Sequence, residues 1–325
     1  FLRFPIFTCM SVKATVPDTK SKIRWILAYS LSASTLLVVN KLAVTATGMP
    51  AGVTGLQLLV SALVVLGMEA AGRNVLGPFD GGKLISFFFF TCVFTLSLFA
   101  NMKALYYTNV GAVIGAGSAL PLLVNIIEVA FMGKALPSVR GSLSMVGVVS
   151  AAFLYIYLDS GVRIDGGRGI FWLFAWWGTL ALSNTYGKHL TESITMSQWE
   201  RVFYTNALAL VPISILFAVN SEGRRALVLT RYSASVTALS CLLGVAISYS
   251  GWMCRSFVTA TTFSLIGCMN KMITILISIL TWPEAFSLKK TAALVLCIGF
   301  GALYKEPVKS TDGRNENPTG ARTTS

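Results

Sequence analysis

Two polar residues, Asn270 and Lys271, stand about fourteen residues into a long apolar run. A lysine at the centre of a bilayer costs about 2.5–3.5 kcal/mol on insertion scales, so such a residue faces the interior of a helix bundle or a water-filled cavity. A compact ammonium group is a good partner for phosphate, and Gly267, one turn earlier, leaves room for a ligand. The alternatives are a structural ion pair or a side chain that reaches the far interface. The pair predicts an anion-binding site within the membrane.

A second polar stretch, Phe203–Asn206, opens another apolar run. Tyr204 could stack on a planar ring, and Thr205 and Asn206 could read the edge of that ring by hydrogen bonds. The alternative is an aromatic belt at the membrane interface. Ser248 would by itself be an ordinary hydroxyl at a helix contact.

Two further lysines lie near the ends of apolar runs. Lys41 could face the same anion site, or its ammonium could extend to the interface. Lys103, beside Tyr106 and Tyr107, could close the mouth of a cavity over an anion or mark a positively charged helix end. Both lysines are therefore candidate binding residues.

Glu128 is the carboxylate placed furthest inside an apolar run. It could take part in a proton relay, but we favour a role as the structural partner of a nearby cation. The chain shows no cluster of His, Cys and carboxylate side chains, and its six cysteines form no Cys-x-x-Cys pair. We therefore predict no metal, no cofactor and no catalytic residues. Buried cations without a catalytic set indicate a protein that carries an anion rather than an enzyme.

The composition places these residues in a membrane. Hydrophobic residues make up 54% of the 325 residues and charged residues 12%, against about 25% charged residues in soluble domains. This excludes a soluble enzyme and a disordered or fibrous protein. The net charge of +13 does not indicate nucleic-acid binding, because the Lys and Arg residues are scattered at the ends of apolar runs, where cations anchor membrane segments.

Ten apolar runs are long enough to span a bilayer, which predicts an all-α membrane protein with ten transmembrane helices. They cover residues 25–46, 50–71, 84–105, 109–132, 140–158, 168–187, 200–219, 234–253, 258–280 and 288–304. Residues 1–24 and 305–325 are the predicted tails, the second disordered. Since both tails are rich in Lys and Arg, we expect both termini in the cytoplasm, although the loops alone are nearly balanced.

The two halves of the chain resemble each other. Trp25–Ala28 aligns with Trp172–Ala175, and Lys103 aligns with Arg255. The halves, residues 25–158 and 159–304, would each hold five helices. An odd number of helices inverts the second copy relative to the first. Inverted repeats are typical of secondary transporters, whose substrate binds at mid-membrane between the repeats.

Five stretches resemble the GDP-mannose transporter family, which belongs to the nucleotide-sugar transporters of the drug/metabolite transporter superfamily. Phe203–Asn206 resembles the family's FYNN motif, and Gly267–Lys271 its GALNK motif. Leu98–Tyr107 is similar to its F-N-N-T-K-A-L-x-Y stretch, and Ile247–Trp252 and Thr261–Ser264 to its eighth and ninth helices. The resemblance runs over nearly all ten predicted helices.

The resemblance implies exchange of a cytosolic nucleotide sugar, GDP-mannose or another GDP-sugar, for a nucleoside monophosphate, GMP, across the Golgi membrane. It implies that the FYNN residues and a serine of the eighth helix read the base, and that the GALNK residues contact the sugar and phosphates. With the two lysines considered above, the predicted substrate-binding residues are Lys41, Lys103, Tyr204, Thr205, Asn206, Ser248, Phe263, Gly267, Asn270 and Lys271.

Two positions depart from the family pattern: Thr205 replaces an asparagine and Phe263 a tyrosine. The identity of the base therefore stays open, and a UDP-sugar or sugar-phosphate translocator is the nearest alternative. A membrane glycosyltransferase is a remote one, with Asp159 and Asp165 as its candidate metal ligands. Membrane lipid is an expected partner, and a homodimer is left open.

Overall fold

The computed structural model describes residues 19–108, 110–158, 166–219, 230–281 and 287–306. Nearly all of these residues lie in helices. The helices are α1 (Thr19–Thr47), α2 (Pro50–Ala70), α3 (Gly81–Tyr107), α4 (Val110–Ser118), α5 (Leu120–Met132), α6 (Val139–Leu158), α7 (Gly166–Ser193), α8 (Gln198–Val219), α9 (Arg231–Phe257), α10 (Ala260–Thr281) and α11 (Leu288–Ala302).

Every predicted span corresponds to one helix except the fourth, which corresponds to two, and the all-α prediction is confirmed for the described residues. Six of these helices, namely α1, α2, α3, α6, α8 and α9, are long and apolar enough to cross a membrane. The chain is thus a multi-pass membrane protein. That all ten spans cross the bilayer stays a prediction.

The fourth predicted span, residues 109–132, is divided into α4 and α5. Pro121 lies in the first turn of α5. Proline has no backbone N–H, and its ring collides with the carbonyl four residues earlier, which here belongs to Gly117. The helix therefore breaks near its middle, next to the cavity described below.

The helices pack in pairs that come from different parts of the chain. The most extensive contacts join α3 to α7, α1 to α9, α2 to α8 and α6 to α11, and α10 packs against α5. A buried polar group fixes one of these contacts: the Gln57 amide of α2 donates to Asn40 of α1 at 2.7 Å and to Ser240 of α9. Since Ser240 also donates to Asn40 at 2.8 Å, the three side chains satisfy one another inside the bundle.

Two carboxylates hold the start of α10, and we call them the carboxylate cluster. Glu128 of α5 accepts the backbone N–H groups of Ala260 and Thr261 at 2.9 and 2.8 Å, together with the Thr261 hydroxyl at 2.6 Å. Glu306, just after α11, accepts the Thr259 N–H at 2.9 Å. The first N–H groups of a helix lack partners within the helix and carry its positive dipole end, so carboxylates stabilise them.

The sequence favours an ion pair with a nearby cation for Glu128, but among the described residues its hydrogen bonds go to the start of α10 and none of their ion pairs involves it. Lys22 of α1 pairs with the other carboxylate of the cluster, Glu306. The carboxylate cluster thus brings the start of α1, the end of α11 and α5 together around α10.

Candidate functional site

A cavity of about 280 Å³ lies between α1, α3, α7, α9, α10 and the break between α4 and α5. Apolar side chains form most of its wall. Besides Tyr29, six residues with polar side chains line it: Asn184, Arg255, Ser264, Asn270, Lys271 and Thr274. Helix α10 contributes four of the six, because its residues 264, 267, 270, 271 and 274 recur at the three- and four-residue spacing of one helix face.

Lys271 is the twelfth of the 22 residues of α10, and it faces the cavity. Its ammonium lies 5.1 Å from the centre of the Trp176 ring. The ammonium would be 3.7 Å from a Cβ placed on Gly117, so it points at the break between α4 and α5. No described carboxylate forms an ion pair with it.

Asn270 is buried, with 5% of its surface exposed, and it lines the same cavity. Its Nδ2 is a buried donor without a hydrogen-bond partner among the described residues. A buried donor of this kind costs about 1–3 kcal/mol when it stays unpaired. The arrangement therefore favours a ligand that brings hydrogen-bond acceptors.

Arg255, in the last turn of α9, is a second cation in this cavity. Its guanidinium lies 4.2 Å from the centre of the Phe263 ring, 5.6 Å from Trp252 and 5.7 Å from Phe90. It donates to Asn184 Oδ1 at 3.3 Å. The sequence-based span ended at residue 253, which left Arg255 in a loop, and its alignment with Lys103 was the one signal that could have found it.

Asn184 of α7 joins the two helices that carry the cations. Its Oδ1 accepts from Arg255 of α9, and its Nδ2 donates to Ser264 of α10 at 2.9 Å. Next to them Tyr29 of α1 stacks on Phe263 with ring centres 4.9 Å apart. Sequence reasoning missed Asn184, Ser264 and Tyr29, because nothing in the sequence of one helix shows which other helix it meets.

The predicted residues fall into two groups. Phe263, Gly267, Asn270 and Lys271 line the cavity. A second group lies around α8: Asn206 Nδ2 donates to the Val202 carbonyl at 2.7 Å, and Ser248 donates to Asn206 Oδ1 at 3.4 Å.

Tyr204, predicted to read the base, packs in an aromatic cluster with Phe87, Phe90 and Trp252. Ring contacts lead from Tyr204 to Phe87 and on to Trp252, each with centres 5.7 Å apart. Because Arg255 lies on Trp252 and Phe90, these contacts connect Tyr204 to the arginine end of the cavity. Beside Tyr204, Thr205 Oγ1 is buried without a partner among the described atoms.

Of the remaining candidates, Lys103 is not among the described residues that line the cavity. Lys103 of α3 lies over its own helix neighbour Phe99, with the ammonium 5.5 Å from the ring centre. The Lys41 side chain is outside the described part of the structure, as are Asp159 and Asp165, the candidate metal ligands of the alternative enzyme.

Known proteins resemble this chain over most of its length. It is 31% identical to GDP-fucose transporter 1 of Arabidopsis thaliana over 294 residues, which cover 87% of this chain and 85% of that protein. It is 30% identical to the GDP-mannose transporter GONST3 of the same plant, over 86% of this chain and 76% of the relative. The chain belongs to the nucleotide-sugar transporters. This confirms the family that the five sequence stretches indicated.

More distant relatives extend the comparison. The transporter is 23% identical to the UDP-sugar transporter UST74c of Drosophila melanogaster, over 77% of its own length and 68% of the relative. A protein solved by crystallography superposes with a TM-score of 0.69 at 16% identity, over 89% of this transporter and 99% of that chain. At this identity the likeness shows the fold alone. No protein-family model matches the chain.

Proposed function

We propose that this transporter exchanges a GDP-sugar, GDP-mannose being favoured, for GMP across the Golgi membrane without chemically converting either. The observation that carries the proposal is the pair of cations, Arg255 and Lys271, in one cavity in the bundle with no carboxylate partner among the described residues. An unneutralised cation in the membrane interior is costly. A pyrophosphate group supplies both the missing negative charge and the missing hydrogen-bond acceptors.

The packing of the helices supports two inverted five-helix repeats. If the halves are α1–α6 and α7–α11, with α4 and α5 counted as one span, the contact of α1 with α9 corresponds to that of α7 with α3. The contacts of α2 with α8, α5 with α10 and α6 with α11 each join equivalent helices. Such halves, moving relative to each other, would give alternating access to a site between them. Both termini would then lie on one side, which we propose to be the cytoplasm.

Exchange without a pump follows from the charges of the site. The empty cavity holds two cations, and moving them through the low-dielectric barrier is unfavourable. A bound anion lowers this cost, so the carrier would change its conformation mainly when it is loaded. Nucleotide sugar and nucleoside monophosphate would therefore cross in opposite directions in a coupled manner.

The test is uptake of labelled GDP-mannose into liposomes that contain the purified transporter and are loaded with GMP. Lys271→Ala should abolish uptake without loss of membrane insertion, because no other described lysine reaches the cavity. Lys289→Ala is the matched control, since this lysine is exposed in the first turn of α11. Near-normal exchange by Lys271→Ala would contradict the site.

A UDP-sugar is the second candidate, and the residue at position 263 favours it. Phe263 packs between Tyr29 and Arg255 and offers no hydroxyl to a purine edge. The named activity of the Drosophila relative points the same way. Competition of uptake by GMP, UMP and inorganic phosphate distinguishes the possible substrates. Inhibition by GMP alone supports a GDP-sugar, inhibition by UMP supports a UDP-sugar, and inhibition by inorganic phosphate supports a sugar phosphate.

A further inference from the structure

Arg255 lies between the two groups of predicted binding residues. On one side, aromatic contacts connect it to Tyr204 through Trp252 and Phe87. On the other side lies Lys271. Arg255 packs on the Phe263 ring of α10, and Lys271 follows Phe263 by eight residues along the same helix. Eight residues of α-helix rise about 12 Å. Both cations line the same cavity, with Arg255 over a ring in the first turn of α10 and Lys271 near the middle of that helix.

The guanidinium is held in place but keeps its charge. Three aromatic rings surround it, and aromatic rings stabilise a cation without neutralising it. Its two hydrogen bonds to described groups go to neutral oxygens, Ser183 O at 3.4 Å and Asn184 Oδ1 at 3.3 Å. A guanidinium has five N–H donors in a planar fork that matches phosphate, so donors remain for a ligand.

Gly187 of α7 provides the space for this side chain. A Cβ on Gly187 would overlap Nη1 of Arg255 and would lie 3.2 Å from its Cζ and 3.0 Å from the Phe90 ring. An alanine here therefore has to displace the guanidinium. Gly178 of the same helix has nothing within 4 Å of its Cβ position, so alanine is accommodated there without any shift.

We propose that Arg255 binds the phosphate next to the nucleoside, which the nucleotide sugar and the nucleoside monophosphate share, whereas Lys271 binds the outer phosphate, which only the nucleotide sugar carries. This division of roles rests on the proposed function and assigns each cation to one phosphate. The base then lies on the Tyr204 side of Arg255. The monophosphate binds through Arg255 with little contribution from Lys271, and the sugar nucleotide engages both.

The experiment measures how well GMP, GDP and GDP-mannose compete for binding of labelled GDP-mannose to the purified full-length transporter. A charged hydrogen bond contributes a factor of about 10 to 100 in affinity. Arg255→Gln should weaken all three competitors by about such a factor. Lys271→Gln should weaken GDP and GDP-mannose by a similar factor and leave GMP within about threefold of the wild type.

Matched variants separate ligand binding from folding. Gly187→Ala should reproduce the loss caused by Arg255→Gln, whereas Gly178→Ala should bind all three nucleotides like the wild type. Arg231→Gln, at the exposed start of α9, is the control for loss of an arginine charge. Size-exclusion profiles and melting temperatures in detergent show whether each variant is folded.

The possible failures can be told apart. If the wild type binds no guanine nucleotide, the proposed substrate is wrong, and the same comparison is made with UMP, UDP and a UDP-sugar. If the wild type binds GDP-mannose but folded Arg255→Gln and Gly187→Ala keep full affinity for GMP, the role of Arg255 is refuted. A loss of GMP binding in Lys271→Gln equal to its loss of GDP binding would refute the assignment of the two phosphates.

Discussion

Removal of the Glu128 carboxylate should destabilise the transporter through the start of α10. The side chain is 2% exposed and accepts two backbone N–H groups and one hydroxyl. In Glu128→Ala the two N–H groups lose their acceptor, at about 1–3 kcal/mol each, and the helix dipole loses a carboxylate worth about 0.3–1 kcal/mol. The expected loss is therefore about 2–7 kcal/mol.

Glu128→Gln should fall between the wild type and Glu128→Ala. A glutamine keeps one oxygen acceptor, but its amide NH₂ faces a backbone N–H donor, so about one hydrogen bond is lost and one repulsive contact is gained. We expect about 2–3 kcal/mol. The assay is thermal unfolding of the purified protein in detergent, followed by the fluorescence of its tryptophans, and we expect the order wild type, Gln, Ala.

The matched control is Glu192→Gln. Glu192 pairs with Lys134 at 2.7 Å and Lys188 at 3.6 Å, and 30% of its side chain is exposed. Its pair with Lys134 is partly exposed on both sides, and such pairs contribute about 0–1 kcal/mol. Lys188 is more buried but keeps its hydrogen bond to the Arg255 carbonyl at 3.0 Å, and a glutamine can still accept from both lysines, so this variant should unfold close to the wild type. Equal melting temperatures for Glu128→Gln and Glu192→Gln would refute the assignment of Glu128 as the residue that holds α10.

Three further predictions concern other parts of the same helix bundle. Gly301→Ala should lower the melting temperature, because a Cβ at this position would overlap the Sδ of Met269 in α10. The control is Gly299→Ala, whose Cβ would have no atom within 4 Å, so its melting temperature should match or exceed that of the wild type. Equal melting temperatures of the two variants would contradict this packing. Burial tends to raise the pKa of Glu306, but hydrogen bonds from Lys22 and from two threonines, with the charge of Lys22, hold this pKa below its usual 4.5. The carboxylate therefore stabilises the fold above about pH 4.5, and this contribution is lost as the pH falls through the lowered pKa. The melting temperature of Glu306→Gln should consequently change less between neutral and acidic pH than that of the wild type. An unchanged pH profile in this variant would contradict the ion pair. Cys268 lines the cavity, so bound nucleotide should slow its alkylation. The measurement is mass spectrometry of the peptide that contains Cys268, and alkylation of this peptide at an unchanged rate would place the ligand elsewhere.

Local patterns in the sequence predicted the helices and the lysine that lines the cavity. Apolar runs of bilayer length specify helices, because a backbone in lipid has to satisfy its own hydrogen bonds. Asn270 and Lys271 could be found in the sequence because polar residues within such a run are costly and need a cavity. The break at Pro121 was also present in the sequence, but the apolar character of residues 109–132 continues through it, so a count of apolar runs treats the two helices as one span.

The tertiary structure decided which residues of different helices meet. The sequence predicted Arg255 in a loop, whereas in the structure it lies within α9. Helix α7 places Asn184 next to its side chain and leaves space for it at Gly187. Glu128 counted as the partner of a cation until α5 placed it against the start of α10. Hydrophobic periodicity shows that a segment is helical, but the pairing of helices depends on side-chain packing between segments far apart in the chain, and one helix's sequence does not contain that information.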